Sequence, residues 1–243
     1  MPNIQLVTNA DHKNIRIITR KAKELGDNVM LAGTFPLEFR FLQSHYPILF
    51  QKNSGTDTYN AVALFGFESE ENLFLDQDGW SATYIPLMMQ RQPFHIGLQK
   101  GPSESAEDTT RVMQINMDSP RVSEVEGERL FLDQGGNTEF LERMATILET
   151  IHLWSEQGTQ FDEMLTELGL LEPVTFDITL DTGRQSQLLG FYTINEEKLK
   201  GLPAETFVKL NEMDYLMPIY MAIASLSNIK KLVTLKSQVE ANQ

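Results

Sequence analysis

Four histidines, His12, His45, His95 and His152, are the side chains best suited to acid–base or metal chemistry in a chain of 243 residues that contains no cysteine. The sharpest local pattern among them is Glu149-Thr-Ile-His152. On a helix it sets a carboxylate and an imidazole one turn apart, which is half of a carboxylate-bridged di-iron site. The other half needs a second Glu-x-x-His, and the chain has none. The pair therefore reads as an exposed i,i+3 contact, and no metal is expected. Asp76-Gln-Asp78-Gly79 opens like a calcium loop, but Trp80 and Leu87 stand where further oxygen ligands are required, so it reads as a polar turn. The sequence has no His-x-Asp/Glu, no glycine-rich phosphate cradle and no Gly-x-Ser-x-Gly elbow.

His95 lies between Phe94 and Ile96 in an expected strand and projects from the face opposite them, as a packed histidine or as a ligand or base. His45 precedes Tyr46-Pro47, where helix termination explains it as well as function does. Between them, Trp80, Tyr84, Ile85, Leu87, Met88 and Met89 run into Gln90-Arg91-Gln92-Pro93-Phe94. Adjacent methionines, aromatics and an arginine suit either the core or a surface for a ligand or partner. His45, Trp80, Tyr84, Arg91 and His95 form the candidate ligand-binding set, in which a cation and imidazoles beside aromatics suit a small anionic ligand. No catalytic residue and no cofactor is assigned. A second basic group, His12, Lys13, Arg16, Arg20, Lys21 and Lys23, reads as a solvated segment or an anion-binding patch.

The charge balance limits the partners. With 20 Lys+Arg against 34 Asp+Glu the net charge is −14, which argues against nucleic acid or an anionic membrane. The longest nearly apolar run, 215–226, contains Pro218 and Ser225 and is far shorter than the roughly 20 residues of a membrane span. The expected partner is a protein or a small anionic ligand. With no basic-then-apolar leader at its start, the chain is expected in the cytoplasm by default, and export without a signal is compatible with it.

The elements that would hold these residues are strands first, then helices, then a hairpin and more helices. Apolar stretches at 46–51, 59–67, 72–75, 94–99 and 111–117 read as strands, with short helices over 37–45 and 83–91. Two amphipathic helices are expected over 138–154 and 159–168, the second closed by Gly169. Residues 174–180 alternate and, with the apolar strand 188–194 beyond Asp181-Thr-Gly183-Arg, read as a β-hairpin, and a last amphipathic helix runs from Leu216 to Val233. The connections are too short for parallel crossovers. The fold class is α+β, mainly an antiparallel sheet of short strands with flanking helices and a C-terminal amphipathic helix. The acidic stretch Gly101–Thr110 reads as a long loop.

His12-Lys-Asn-Ile-Arg-Ile17, Phe35-Pro-Leu-Glu-Phe39, His45-Tyr-Pro-Ile-Leu-Phe50, Ala63-Leu-Phe-Gly-Phe67, Tyr84-Ile-Pro86, Arg91-Gln-Pro-Phe94 and Leu189-Gly-Phe-Tyr-Thr-Ile194 together resemble the SapC family of bacterial proteins. This is not the membrane permease of the same name. The resemblance covers about residues 3–235 and implies a single domain, followed by a disordered tail at 236–243. The family is named for a surface-layer locus, which implies a non-catalytic interaction or accessory protein of an envelope system. Its association with genes for TonB-dependent receptors and flavin-dependent halogenase-like proteins implies the alternative, an enzyme or substrate-binding accessory in a peptide- or metabolite-modifying system. No catalytic residues come with it.

Overall fold

The computed structural model describes residues 2–100, 109–181 and 183–241, so residues 101–108 of the expected acidic loop lie outside the described residues. The chain divides into two units, Met1–Asp27 with Leu87–His152, and Asn28–Pro86 with Leu153–Gln243. The elements are helices and short antiparallel strands, an α+β fold. No described helix is long and apolar enough to cross a membrane.

In the first unit, strand Thr109–Asn116 pairs antiparallel with Ile4–Leu6 on one side and Phe94–Lys100 on the other. Phe94 faces Ile115 across the ladder, and both are fully buried. Phe140, Met144, Leu148 and Ile151, one stripe of the helix Glu139–Glu167, are buried as well, and the Phe94 and Phe140 rings lie 6.2 Å apart. A Cβ at Gly97 would come within 2.3 Å of the Gln114 side-chain amide on the neighbouring strand, which would have to move aside.

The second unit holds a five-stranded antiparallel sheet in the order Leu171–Thr179, Gln185–Ile194, Ile48–Lys52, Tyr59–Leu64, Leu31–Gly33. Ile48, Leu49 and Phe50 are all fully buried. A run without alternation is what a strand covered on both faces needs. The outer hairpin turns as expected: Gly183 takes φ +83°, its N–H donates to Leu180 O at 2.8 Å, and Leu180 N–H donates to Arg184 O at 3.0 Å.

Four local expectations change. The two helices expected over 138–154 and 159–168 are one 29-residue helix, Glu139–Glu167, which runs through Gly158. That glycine is buried against Phe35 and Pro36, and packing retains it in the helix although it weakens helical propensity. The helix ends where expected: Gly169 has φ +60°, and Leu170 N–H donates to Leu165 O at 2.9 Å in a Schellman closure. The last helix is two, Leu216–Ser225 and Asn228–Ala241. Buried polar groups fix the break, since the Ser225 hydroxyl accepts from Ile48 N–H at 2.8 Å while the Asn228 amide donates to Gln43 O at 2.8 Å. The helix also continues past residue 235, where a tail is expected, because Lys236 is buried and its ammonium reaches Glu71 at 2.5 Å and Glu68 at 3.2 Å. The short helices at 37–45 and 83–91 shrink to a 3₁₀ turn Pro36–Glu38 followed by Phe39–Leu42, and to Leu87–Gln90. Proline sets the first of these limits, its fixed φ starting the turn at Pro36; Pro86 precedes the second helix directly.

Candidate functional site

The five candidate residues fall in the two units. His45, Trp80 and Tyr84 belong to the second, and Arg91 and His95 to the first.

In the second unit they gather around Tyr46, which enters the buried strand at Pro47 and is itself fully buried. Its hydroxyl accepts from Trp80 Nε1 at 2.7 Å and donates to the Tyr84 carbonyl at 2.5 Å. Phe65, Phe74 and Trp80 surround the ring, Phe74 at 4.7 Å edge-on, which excludes water from the phenol. The Tyr84 hydroxyl donates to Glu38 Oε1 at 2.9 Å, and the Thr34 hydroxyl donates to the other carboxylate oxygen at 2.7 Å. Glu38 is wholly enclosed. Burial pushes the Tyr46 phenol well above its ordinary range, and burial followed by the Glu38 charge does the same to Tyr84. Both phenols therefore stay neutral hydrogen-bond donors. His45 Nε2 is 2.9 Å from the Thr83 hydroxyl, and burial together with the Lys231 charge lowers its pKa.

In the first unit the Arg91 guanidinium donates from Nη1 to the Phe94 carbonyl at 2.7 Å and contacts His95 Nδ1 at 3.0 Å. A guanidinium only donates, so His95 Nδ1 is the acceptor and the neutral ring carries its proton on Nε2. Burial and the Arg91 charge lower the His95 pKa, which keeps the ring neutral. Its single basic lone pair is thus engaged by Arg91.

The remaining sequence patterns are also engaged internally. Arg111 bridges the Glu-x-x-His pair, with Nη1 2.9 Å from His152 Nε2 and Nη2 donating to Glu149 Oε1 at 3.0 Å. The Asp76–Gly79 segment is a polar turn closed by Asp78 N–H donating to Asp76 Oδ1 at 2.8 Å. The basic group near the N-terminus is partly folded inward. His12 is buried, and the Lys21 ammonium donates to the Met89 carbonyl at 2.6 Å and sits 3.5 Å from Asp27, which is fully buried. Burial, and after it the adjacent Arg121 charge, bring the Lys21 pKa down to about 8. Arg121 is buried too; it pairs with Asp27 and donates to the carbonyls of Ile18 and Arg20 at 2.9 Å each.

Of the candidate stretch from Trp80 to Phe94, Leu87, Met89, Pro93 and Phe94 are buried, while Trp80, Tyr84 and Met88 are half-buried. Two clefts in the second unit, of about 390 and 510 Å³, are lined by other residues. Sequence reasoning missed Glu38 and Asp162. Glu38 carried a signal, as a lone carboxylate inside the otherwise apolar Phe35–Leu42 segment with only Arg40 for company; Asp162 carried none beyond its place beside Phe161 on an apolar stripe.

Residues 7–232 match the SapC family, nearly the whole chain. The chain belongs to the SapC family. No curated protein and no solved structure matches it. The motifs that carry the resemblance hold many of the contacts just described: Phe35–Phe39 supplies Glu38, His45–Phe50 supplies His45 and Tyr46, and Arg91–Phe94 supplies the arginine on His95. In this SapC-family chain those motifs brace the fold.

Proposed function

We propose that this SapC-family chain is a non-catalytic interaction or accessory protein of a bacterial envelope or surface-layer-related system, acting from the cytoplasm. One observation carries the reading. The side chains that could do chemistry are engaged with one another, Trp80 with Tyr46, Tyr84 with Glu38, His45 with Thr83 and Arg91 with His95. A general base needs a free lone pair within reach of a substrate, and that of His95 is engaged by Arg91. The envelope association is supported by the name of the family.

Native mass spectrometry of the protein from its own host, followed by reconstitution with the co-purified partner, tests the reading. The expected result is the 27.7 kDa chain bound to another protein without a retained metabolite. His95→Ala should lower stability, by about 1–3 kcal/mol for the hydrogen bond that the half-buried Arg91 loses, and leave that association intact. A retained small molecule that the protein turns over, with turnover lost and stability kept in His95→Ala, would overturn it.

A further inference from the structure

The helix Leu216–Ser225 carries no charged residue, alone among the described helices of eight or more residues. Pro218, Ile219, Ala222 and Ser225 are buried against the second unit. A helix apolar all round belongs in an interior, covered on its other face as well. Here that face is open. Met217 and Tyr220, one turn apart, are 56% and 52% exposed, and Met221 beside them is half-buried.

The cleft of about 510 Å³ adjoins this face, with Met217 and Met221 in its wall together with Leu37 and Met213. Tyr215, nine-tenths buried, also lines it, and its hydroxyl makes no hydrogen bond among the described residues. One face thus carries a projecting ring, Tyr220, next to a hole large enough to take it. A two-fold interface requires this arrangement, because the same patch must fit itself and each contact occurs twice. Tyrosine, methionine and arginine are also the residues that enrich the centres of protein interfaces.

Charge selects the same occupant. Two chains of net charge −14 repel, so they can meet only where the surface is nearly free of acid, and the helix supplies such a place. At the cleft Arg40 and Asp214 stand as one charge of each sign. Neither makes an ion pair among the described residues, and Arg40 rests on Met217 Sδ at 3.8 Å. A simple cation or anion in the cleft would meet a like charge, whereas a second copy brings the opposite of each.

We propose that the chain forms a two-fold dimer through this face, the Tyr220 ring of each copy entering the cleft of the other. The dimer goes beyond the interaction reading above and does not depend on it.

Sedimentation equilibrium of the full chain tests it, and the expected species has twice the 27.7 kDa of one chain. Tyr220→Asp should weaken the dimer about tenfold or more without changing the circular dichroism, since the side chain is half exposed. Added salt should strengthen the dimer by screening the repulsion between the two net charges. Because the chain has no cysteine, Met217→Cys gives a second reading that does not rest on the aspartate variant. Mild oxidation should link two copies through position 217, while Leu189→Cys, on the outer hairpin and 60% exposed, stays unlinked. A monomer at about 100 µM chain, where a micromolar interface is formed, would overturn the proposal. So would a dimer that a folded Tyr220→Asp leaves unaltered, a dimer weakened by salt, or linkage no faster at 217 than at 189.

Discussion

Asp162→Asn should stabilise the protein more and more as pH rises, although it deletes a charge from an acidic cleft. Burial holds the Asp162 carboxyl at about 7, against an ordinary 3.8. Between those values the folded state keeps a proton that the unfolded chain has released. The folded state binds more protons, so stability falls with rising pH by up to about 1.4 kcal/mol per pH unit and levels off above about pH 7. Across the window from 3.8 to about 7 the loss sums to about 4 kcal/mol, an upper figure for a residue that is still partly exposed. Asparagine cannot ionise and carries no such loss. The assay is urea unfolding of both proteins at about pH 4, 5, 6, 7 and 8, followed by circular dichroism. The variant-minus-wild-type difference is the informative quantity. His45 and His95, whose pKa values are lowered, make stability fall as pH drops below about 6.5, and this contribution cancels in the difference. A difference that stays flat across the range, or a wild type that gains on the variant toward pH 8, would refute the reasoning and mean that the Asp162 carboxylate is compensated.

Three further outcomes are expected. Gly158→Ala should raise stability by about 0.5–1 kcal/mol, because a Cβ would sit at ordinary contact distance, 3.6 Å from Pro36 and 3.7 Å from Phe35, and alanine favours the helix interior; a lower urea midpoint would show that the contact is too tight. Arg121→Ala should cost about 3–5 kcal/mol by removing the guanidinium from the fully buried Asp27 carboxylate, which calorimetric unfolding will measure. Deleting residues 236–243 should cost roughly 3 kcal/mol, read as a lower urea midpoint, because Glu71 loses Lys236 and the Asp181 N–H loses the Ser237 hydroxyl; an unchanged midpoint would restore the expected tail.

Much of the architecture was legible because it follows from short-range periodicity. Val174, Phe176, Ile178 and Leu180 alternate, and they form one arm of a hairpin whose turn needs Gly183 at positive φ. The family motifs were legible as well, and they contain Tyr46, Tyr84 and Arg91, although which side chains these would meet was not legible. Misreadings arose where packing overrode a local signal. Gly158 looks like a helix boundary, yet Phe35 and Pro36 cover it and the helix continues. Lys236 looks like the start of a charged tail, yet Glu68 and Glu71, distant in sequence, hold it in place.

By itself the sequence determined the α+β class, the hairpin and the family, and it supplied candidate side chains for chemistry, since these depend on residue types and spacings within a few positions of one another. Only the tertiary structure decided what those side chains do. What occupies an imidazole lone pair is one such matter: Arg91, four residues away, reaches His95 Nδ1 only through the turn between them. Whether a carboxylate is satisfied depends on donors brought from elsewhere in the chain: Glu38 receives the Thr34 and Tyr84 hydroxyls, and Asp162 Oδ1 receives none. A hydrogen bond acts over about 3 Å, and the chain brings its partners that close only by folding.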